Sequence, residues 1–325
     1  MQPIKKVLVV TTALLFPTLA MAQTGNTDPL RIVSDPLYLP YAGQIFGSTE
    51  YVYGDSSQDI YDAAHARTAT QRIDSNQITQ TFRYGITNEL SVFGDIGYDP
   101  SVTTKTTTAA GHTSASSEGW TDPEFGLTYR VLDQARGPVD WDLSASYSPD
   151  AFDARSESVS HDGSVARGGS AVDLSTRVGH VWNQFTLAGV FHANYADQRD
   201  IANRTTGNSE AVDSNWTYHL DLESQYRFTS RFSLNAGAGY QFAYDDDRLN
   251  TGTALMHNYH VNGTPELNAS LNYDFVPNTV VGSLEYTHRF TGNETSTYPT
   301  IPANDSAARN RSEDLVGVNL RYVMP

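Results

Sequence analysis

Cysteine is missing from all 325 residues, which excludes disulfides and thiolate metal sites. Beyond residue 22 no stretch comes near eighteen continuous apolar residues, so no helix of this chain can span a bilayer. Lysine is almost absent too, with Lys105 the only one after Lys5 and Lys6. Lys and Arg total 21 against 37 Asp and Glu, and a surface of formal charge -16 repels a phosphate backbone, which excludes nucleic acid as a partner. Neither a G-x-S-x-G elbow nor an H-E-x-x-H pair occurs, and no EF-hand spacing is present.

What is present begins with a targeting segment. Lys5 and Lys6 precede an apolar run from Val7 to about Leu19, and Ala20-Met21-Ala22 offers a small-x-small cleavage pattern before Gln23. The run is shorter than the roughly 20 residues of an anchoring helix, so residues 1–22 read as a signal peptide rather than an anchor. Residues 23–43 are expected to form a periplasmic N-terminal segment, and 44–325 the folded unit.

Twelve segments then follow, at 44–53, 73–86, 89–98, 120–132, 139–149, 170–182, 185–197, 215–229, 231–244, 264–275, 279–291 and 313–323, nearly all alternating apolar with polar residues. Very short connections (Thr87-Asn88, Asp133 to Pro138, Asn183-Gln184, Ser230 and Val276-Pro277-Asn278) take turns with six long ones near 54–72, 99–119, 150–169, 198–214, 245–263 and 292–312. That rhythm predicts an all-β fold: an antiparallel transmembrane β-barrel of 12 strands, with short periplasmic turns, six long surface loops and both termini periplasmic. Hydrocarbon offers no water to unpaired amides, so the sheet must close on itself. Segment 44–53 is the least regular, and ten or fourteen strands are the alternatives; a soluble β-sandwich is the third architecture.

Parity assigns the faces. In 215–229, Trp216, Tyr218, Leu220, Leu222, Tyr226 and Phe228 fall outward, opposite His219, Asp221, Glu223, Gln225 and Arg227. Consecutive ionisable groups at period two belong to a wet interior, not to lipid. Extended along the chain, the inward face gathers Glu50, Glu89, Asp95, Glu124, Asp140, Asp142, Asp173, Asp221, Glu223, Asp274 and Glu285, with Arg83, Arg130, Arg177, Arg227, Arg289 and Arg321. These either pair into a ladder that stiffens the interior or leave an acid surplus that favours cations over anions. Tyrosine is abundant, at 19 residues, and Trp182 and Phe228 at one edge with Trp120, Trp216 and Tyr244 at the other fit two aromatic girdles.

Other side-chain clusters have simpler readings. His192, His219 and Asp221 share the inward face, but Ser224 has the wrong parity to serve as nucleophile, so the chain is expected not to be an enzyme. The acids Asp150, Asp153, Glu157 and Asp162, and the run Asp245-Asp246-Asp247 with His257-x-x-His260, read as solvated loop groups, with divalent cations at the surface as the alternative and no other cofactor implied. The N-x-S/T triplets, such as Asn203-Arg204-Thr205 and Asn215-Trp216-Thr217, reflect abundant Asn, Ser and Thr.

Near the end, Gly317, Leu320 and Tyr322, preceded by Leu315, resemble the C-terminal strand signal read by the outer-membrane assembly machinery. Val323-Met324-Pro325 follow the aromatic residue, a departure expected to loosen the last bonds to strand one. The stretches Gln80 to Val92 (QTFRYGITNELSV), Trp120 to Asp133 (WTDPEFGLTYRVLD) and Asp142 to Asp150 (DLSASYSPD) resemble the outer-membrane barrel family associated with the phenol meta-degradation pathway. The resemblance implies uptake or efflux of small aromatic or otherwise hydrophobic compounds. The expected function is an outer-membrane channel or transporter for small solutes, a monomer in contact with outer-membrane lipid and lipopolysaccharide. The alternative is a closed barrel that binds a ligand or plays a structural role through its surface loops.

Overall fold

The computed structural model describes residues 32–156, 163–203, 208–250 and 252–324; the signal segment 1–22 lies outside them. Twelve wall strands form one antiparallel sheet. They are β1 (Ile45–Asp62), β2 (Arg67–Gly85), β3 (Leu90–Thr108), β4 (Gly111–Trp120 continuing as Glu124–Leu132), β5 (Asp140–Ser148) and β6 (Ala171–Trp182). The remainder are β7 (Phe185–Ala196), β8 (Asn215–Arg227), β9 (Phe232–Gln241), β10 (Thr264–Val276), β11 (Val280–Arg289) and β12 (Ser306–Met324). Closure comes from β12 pairing with β1, from Ile45 opposite Met324 to Asp62 opposite Ser306, so the wall has no edge at membrane level.

All five short turns fall where the sequence put them. Asn183 and Asn278 adopt φ of 49° and 56°, a left-handed conformation that asparagine tolerates. Thr87 Oγ1 accepts the amides of Glu89 and Leu90, which fixes the first turn.

At the opposite end the expectation of six long loops is corrected. Strands β1 and β2 run on until only residues 63–66 separate them, and β3 meets β4 across Ala109-Ala110. Further strands stand on the wall at Arg199–Asn203, Asn208–Val212, Tyr244–Asn250, Leu255–Val261 and Glu294–Thr297. Among the described residues the longest irregular segment is around 150–169, and 298–305 adds a shorter one with a single 3-10 turn at Pro302–Asn304. Above the membrane both faces of a strand meet water, so the apolar–polar alternation that marks a half-buried strand vanishes while the backbone ladder continues. Tyr244 is displaced with them: after a break at Phe242-Ala243 it shares a face with the buried Asp246, and does not join the girdle.

Inside and outside are inverted relative to a soluble protein. Gln225, Asn272, Thr186, Ser91 and Ser233 are among the most deeply buried side chains, whereas Leu222 and Leu284 are 53% and 54% exposed within a continuous apolar band. A water-facing surface of that kind would aggregate, which rules out the soluble sandwich. Aromatic pairs bound the band at both levels: Trp182–Phe185 and Phe228–Phe232 by the short turns, Tyr195–Trp216 and Tyr98–Trp120 by the long ends.

Chain-end pairing is complete. Tyr322 lies opposite Gly47, where a Cβ would collide with its ring, which explains the glycine in the least regular strand. The expected loosening after Tyr322 is corrected: Val323 donates its amide to Thr279 and packs its side chain against Val33 and Val281.

Candidate functional site in the barrel interior

Residues 32–40 do not hang from the barrel but fold into its short-turn end. Pro36 and Pro40 keep this stretch out of the ladder, and its apolar side chains find pockets in the wall instead. Leu37 is fully buried against Val181 and Ala188, and Val33 joins Val281 and Val323. Polar bonds hold the backbone: Arg130 Nη2 donates to Leu37 O at 2.6 Å, Asn235 Nδ2 to Ser34 O at 3.1 Å, and Thr186 Oγ1 to Asp35 Oδ2 at 2.7 Å. Gln225 Nε2 reaches Ser34 Oγ at 3.1 Å, and the Ser34 and Ser233 hydroxyls are 3.4 Å apart. Gly85 permits the exit of this plug, since a Cβ there would lie 2.0 Å from Tyr41 O.

The charged candidates stand in three settings. Some form the ladder: Arg130 grips Asp142 with two bonds of 2.8 and 3.0 Å, Arg321 meets Glu285 at 2.9 Å and Arg177 lies 3.7 Å from Glu223. Arg289 bridges Glu266 at 2.6 Å and Glu313 at 3.2 Å. Parity alone marked Glu266 and Glu313 as inward, since they share faces with Asp274 and Arg321, yet the sequence reading passed over both. A second group serves the short-turn end: Asp140 Oδ1 accepts the amide of Gln134, Arg227 lies by the carboxylates of Asp35 and Asp274, and Glu89 sits on the surface 3.3 Å from Arg136. Arg83 lies over the Phe93 ring at 5.1 Å.

The third group is a belt at mid-wall. Asp95 sits opposite Glu124 in register, Glu124 bonds Ser146, and Ser146 sits opposite Asp173. His192 Nδ1 lies 3.4 Å from Asp173, and His219 Nε2 lies 3.3 Å from Asp221. His192 and His219 face each other across β7 and β8, with Asp221 Oδ2 3.9 Å from His192. Ser224 points away, bonded to Ala236 O on the outer face. Two cavities follow one another through the interior, of about 530 Å³ above the plug and about 340 Å³ further along, and Glu285 and Thr287 line both.

At the long end, the strand geometry separates residues that looked clustered in sequence. Asp246 is buried and bonded to Asn215, whereas Asp245 turns the other way to His260 Nδ1 at 2.7 Å and Asp247 takes Asn258 at 3.0 Å. His257 and His260 part in the same manner. His257, buried, approaches Glu210 at 3.4 Å and stacks on Tyr298; burial holds its pKa below 6.5. His260, hydrogen-bonded to Asp245, is held above it. Among the described residues no three His, Asp or Glu converge as metal ligands, and Glu157 and Asp162 lie outside them.

Asp122 has a role that sequence did not disclose. Its Oδ1 accepts the amides of Ala151 and Phe152 and its Oδ2 those of Arg167 and Gly168, so one carboxylate clamps both ends of the irregular segment. The Thr121-Asp122-Pro123 break in β4, part of the stretch that carries the family resemblance, exists to hold that clamp.

This architecture is that of an outer-membrane β-barrel. An outer membrane channel from Pseudomonas putida F1 is similar in fold, at TM-score 0.58 and 14% identity over 93% of this chain and 100% of that one. The transport unit of the autotransporter AIDA-I from Escherichia coli is similar at TM-score 0.55 and 11% identity over 90% and 93%. No protein-family model matches the chain, and no curated protein matches it in sequence.

Proposed function

We propose that the protein is an outer-membrane channel for small polar solutes, aromatic ones included, whose short-turn mouth faces the periplasm and is gated by residues 32–40. The observation that carries this reading is the hollow, charge-lined interior above a plug that non-covalent contacts alone hold in place. A wall serving only as a scaffold has no need of such an interior, and twelve strands leave a bore suited to small solutes rather than a broad sieve. The resemblance at Gln80 to Val92, Trp120 to Asp133 and Asp142 to Asp150 supports placement in the barrel family associated with phenol meta-degradation. An aromatic cargo would travel here with its hydroxyl or amine against the polar wall.

The same reading makes the protein a non-catalytic monomer surrounded by lipid and lipopolysaccharide. Its folding is directed by the assembly machinery through Gly317, Leu320 and Tyr322, with the last two on the lipid-facing side of β12. That it is no enzyme is supported by the belt of His192, His219 and Asp221, beside which Ser224 faces lipid.

A second reading, a closed barrel that binds a ligand at its surface, is favoured by a cavity of about 710 Å³ among Asp150, Arg155, Asp197 and Arg199 at the long end. Purified protein in planar bilayers and liposomes separates the two. Discrete conductance steps with cation preference, from the inward acid surplus, are expected. Silence in both assays from protein that shows heat-modifiable migration in a gel favours the surface-binding reading.

A further inference from the structure

The 340 Å³ cavity in the upper interior has more acid than base on its wall: Glu50, Asp99, Glu285 and Glu313 against Arg289. Arg289 is already committed to Glu266 and Glu313. Glu50 and Glu285 are in hydrogen-bond contact with each other and share one guanidinium, Arg321, 2.9 Å from Glu285, so with Arg289 and Arg321 both counted the four acids still outnumber the bases.

Asp99 supplies the independent observation. It sits just before the bulge that Pro100 forces on β3, is 8% exposed, and lines this cavity while its Oδ1 has no hydrogen-bond partner. A buried carboxylate oxygen without a donor costs free energy until a donor arrives. The unmet need is for N–H groups and positive charge. A bare metal ion does not meet it, since no three carboxylates converge among the described residues, and the space is that of a small organic ligand.

We propose that this cavity is a binding station for small aliphatic ammonium ions, with Asp99 and the Glu50–Glu285 pair as the anionic contacts and Gln77 and Thr287 as neutral partners. The station deepens the channel reading, rests on it, and names the solute class. A diamine fits better than a monoamine because acid groups stand on both β1 and β3, so each ammonium finds its own carboxylate.

Titration calorimetry of the folded full-length protein in detergent tests this with 1,4-diaminobutane, 1,4-butanediol and Mg²⁺. The diamine is expected to bind and the diol to give no heat, with Asp99→Asn and Glu50→Gln each weakening the diamine at least tenfold. Heat-modifiable migration identifies folded variants, and Glu50→Gln decides if Asp99→Asn does not fold. Absence of diamine heat, or equal affinity in the folded variants, overturns the proposal. So does Mg²⁺ that competes with the diamine and is lost in the same variants, because the site is then a metal site. Conductance is read separately: binding in a protein silent in bilayers retains the station and rejects the channel, while conductance without binding retains the channel and rejects the station.

Discussion

Deletion of residues 32–40 is expected to raise the mean conductance of the protein in planar bilayers severalfold and to abolish long closed intervals. The plug buries Leu37 fully and Val33 almost fully, worth about 1.5–3 kcal/mol each. Its bonds from Arg130, Asn235, Thr186 and Gln225 each add a net contribution of about 0.5–1.5 kcal/mol. These contacts together are what oppose the entropy of ordering the segment, so the docked state depends on all of them. The wall ladder is independent of the plug: β1 pairs with both β2 and β12 from Ile45 onward. The deleted protein should therefore keep its heat-modifiable migration, which separates an opened channel from an unfolded one.

Arg130→Ala is expected to have the largest effect of any single substitution. Its guanidinium and the Asp142 carboxylate are 3% and 5% exposed, and the same Nη2 that reaches Asp142 also holds Leu37 O. Removal strands a buried carboxylate and frees the plug, a loss of about 3–5 kcal/mol. The temperature of the heat-modifiable transition should fall sharply. Arg130→Lys should recover only part of it, because an ammonium cannot reproduce the two-pronged grip. The double variant Arg130→Met, Asp142→Leu removes both charges and should regain most of the stability while the plug stays loose, since the bond to Leu37 O is still missing. A double variant as unstable as Arg130→Ala would contradict the assignment of the loss to the stranded charge.

Sequence and structure agree where chemistry differs across the wall and diverge where it does not. Leu220 and Leu222 against Asp221 and Glu223 left one possible orientation, because lipid and lumen demand opposite residues, and all twelve wall strands were legible for that reason. Thr103 to Thr108 are polar on both faces, and the residues facing them on β2 and β4 are mostly polar too, with no apolar alternation, so their strand character rests on backbone pairing that no side-chain pattern records. Parity gave each candidate a face but not a partner. That Arg130 takes Asp142 depends on register, and that Asp99 takes no cation depends on where Arg289 and Arg321 were drawn.

The plug was hidden differently. Ile32, Val33 and Leu37 are an apolar cluster with prolines among them and no period, and the one available signal was that such residues have no reason to stand in water ahead of a barrel. Asp122 gave still less warning, since four backbone amides from a segment many residues away leave no trace in composition.

The claim on which everything else depends is that the segment ahead of β1 closes a water-filled passage. Because the chain has no cysteine, Ser34→Cys with Ser233→Cys places one thiol pair where the two hydroxyls are 3.4 Å apart, and nothing competes for it. Conductance of this variant should vanish on oxidation and return on reduction, with each single-cysteine variant indifferent to both. Currents of equal size in the cross-linked and reduced states would contradict the account.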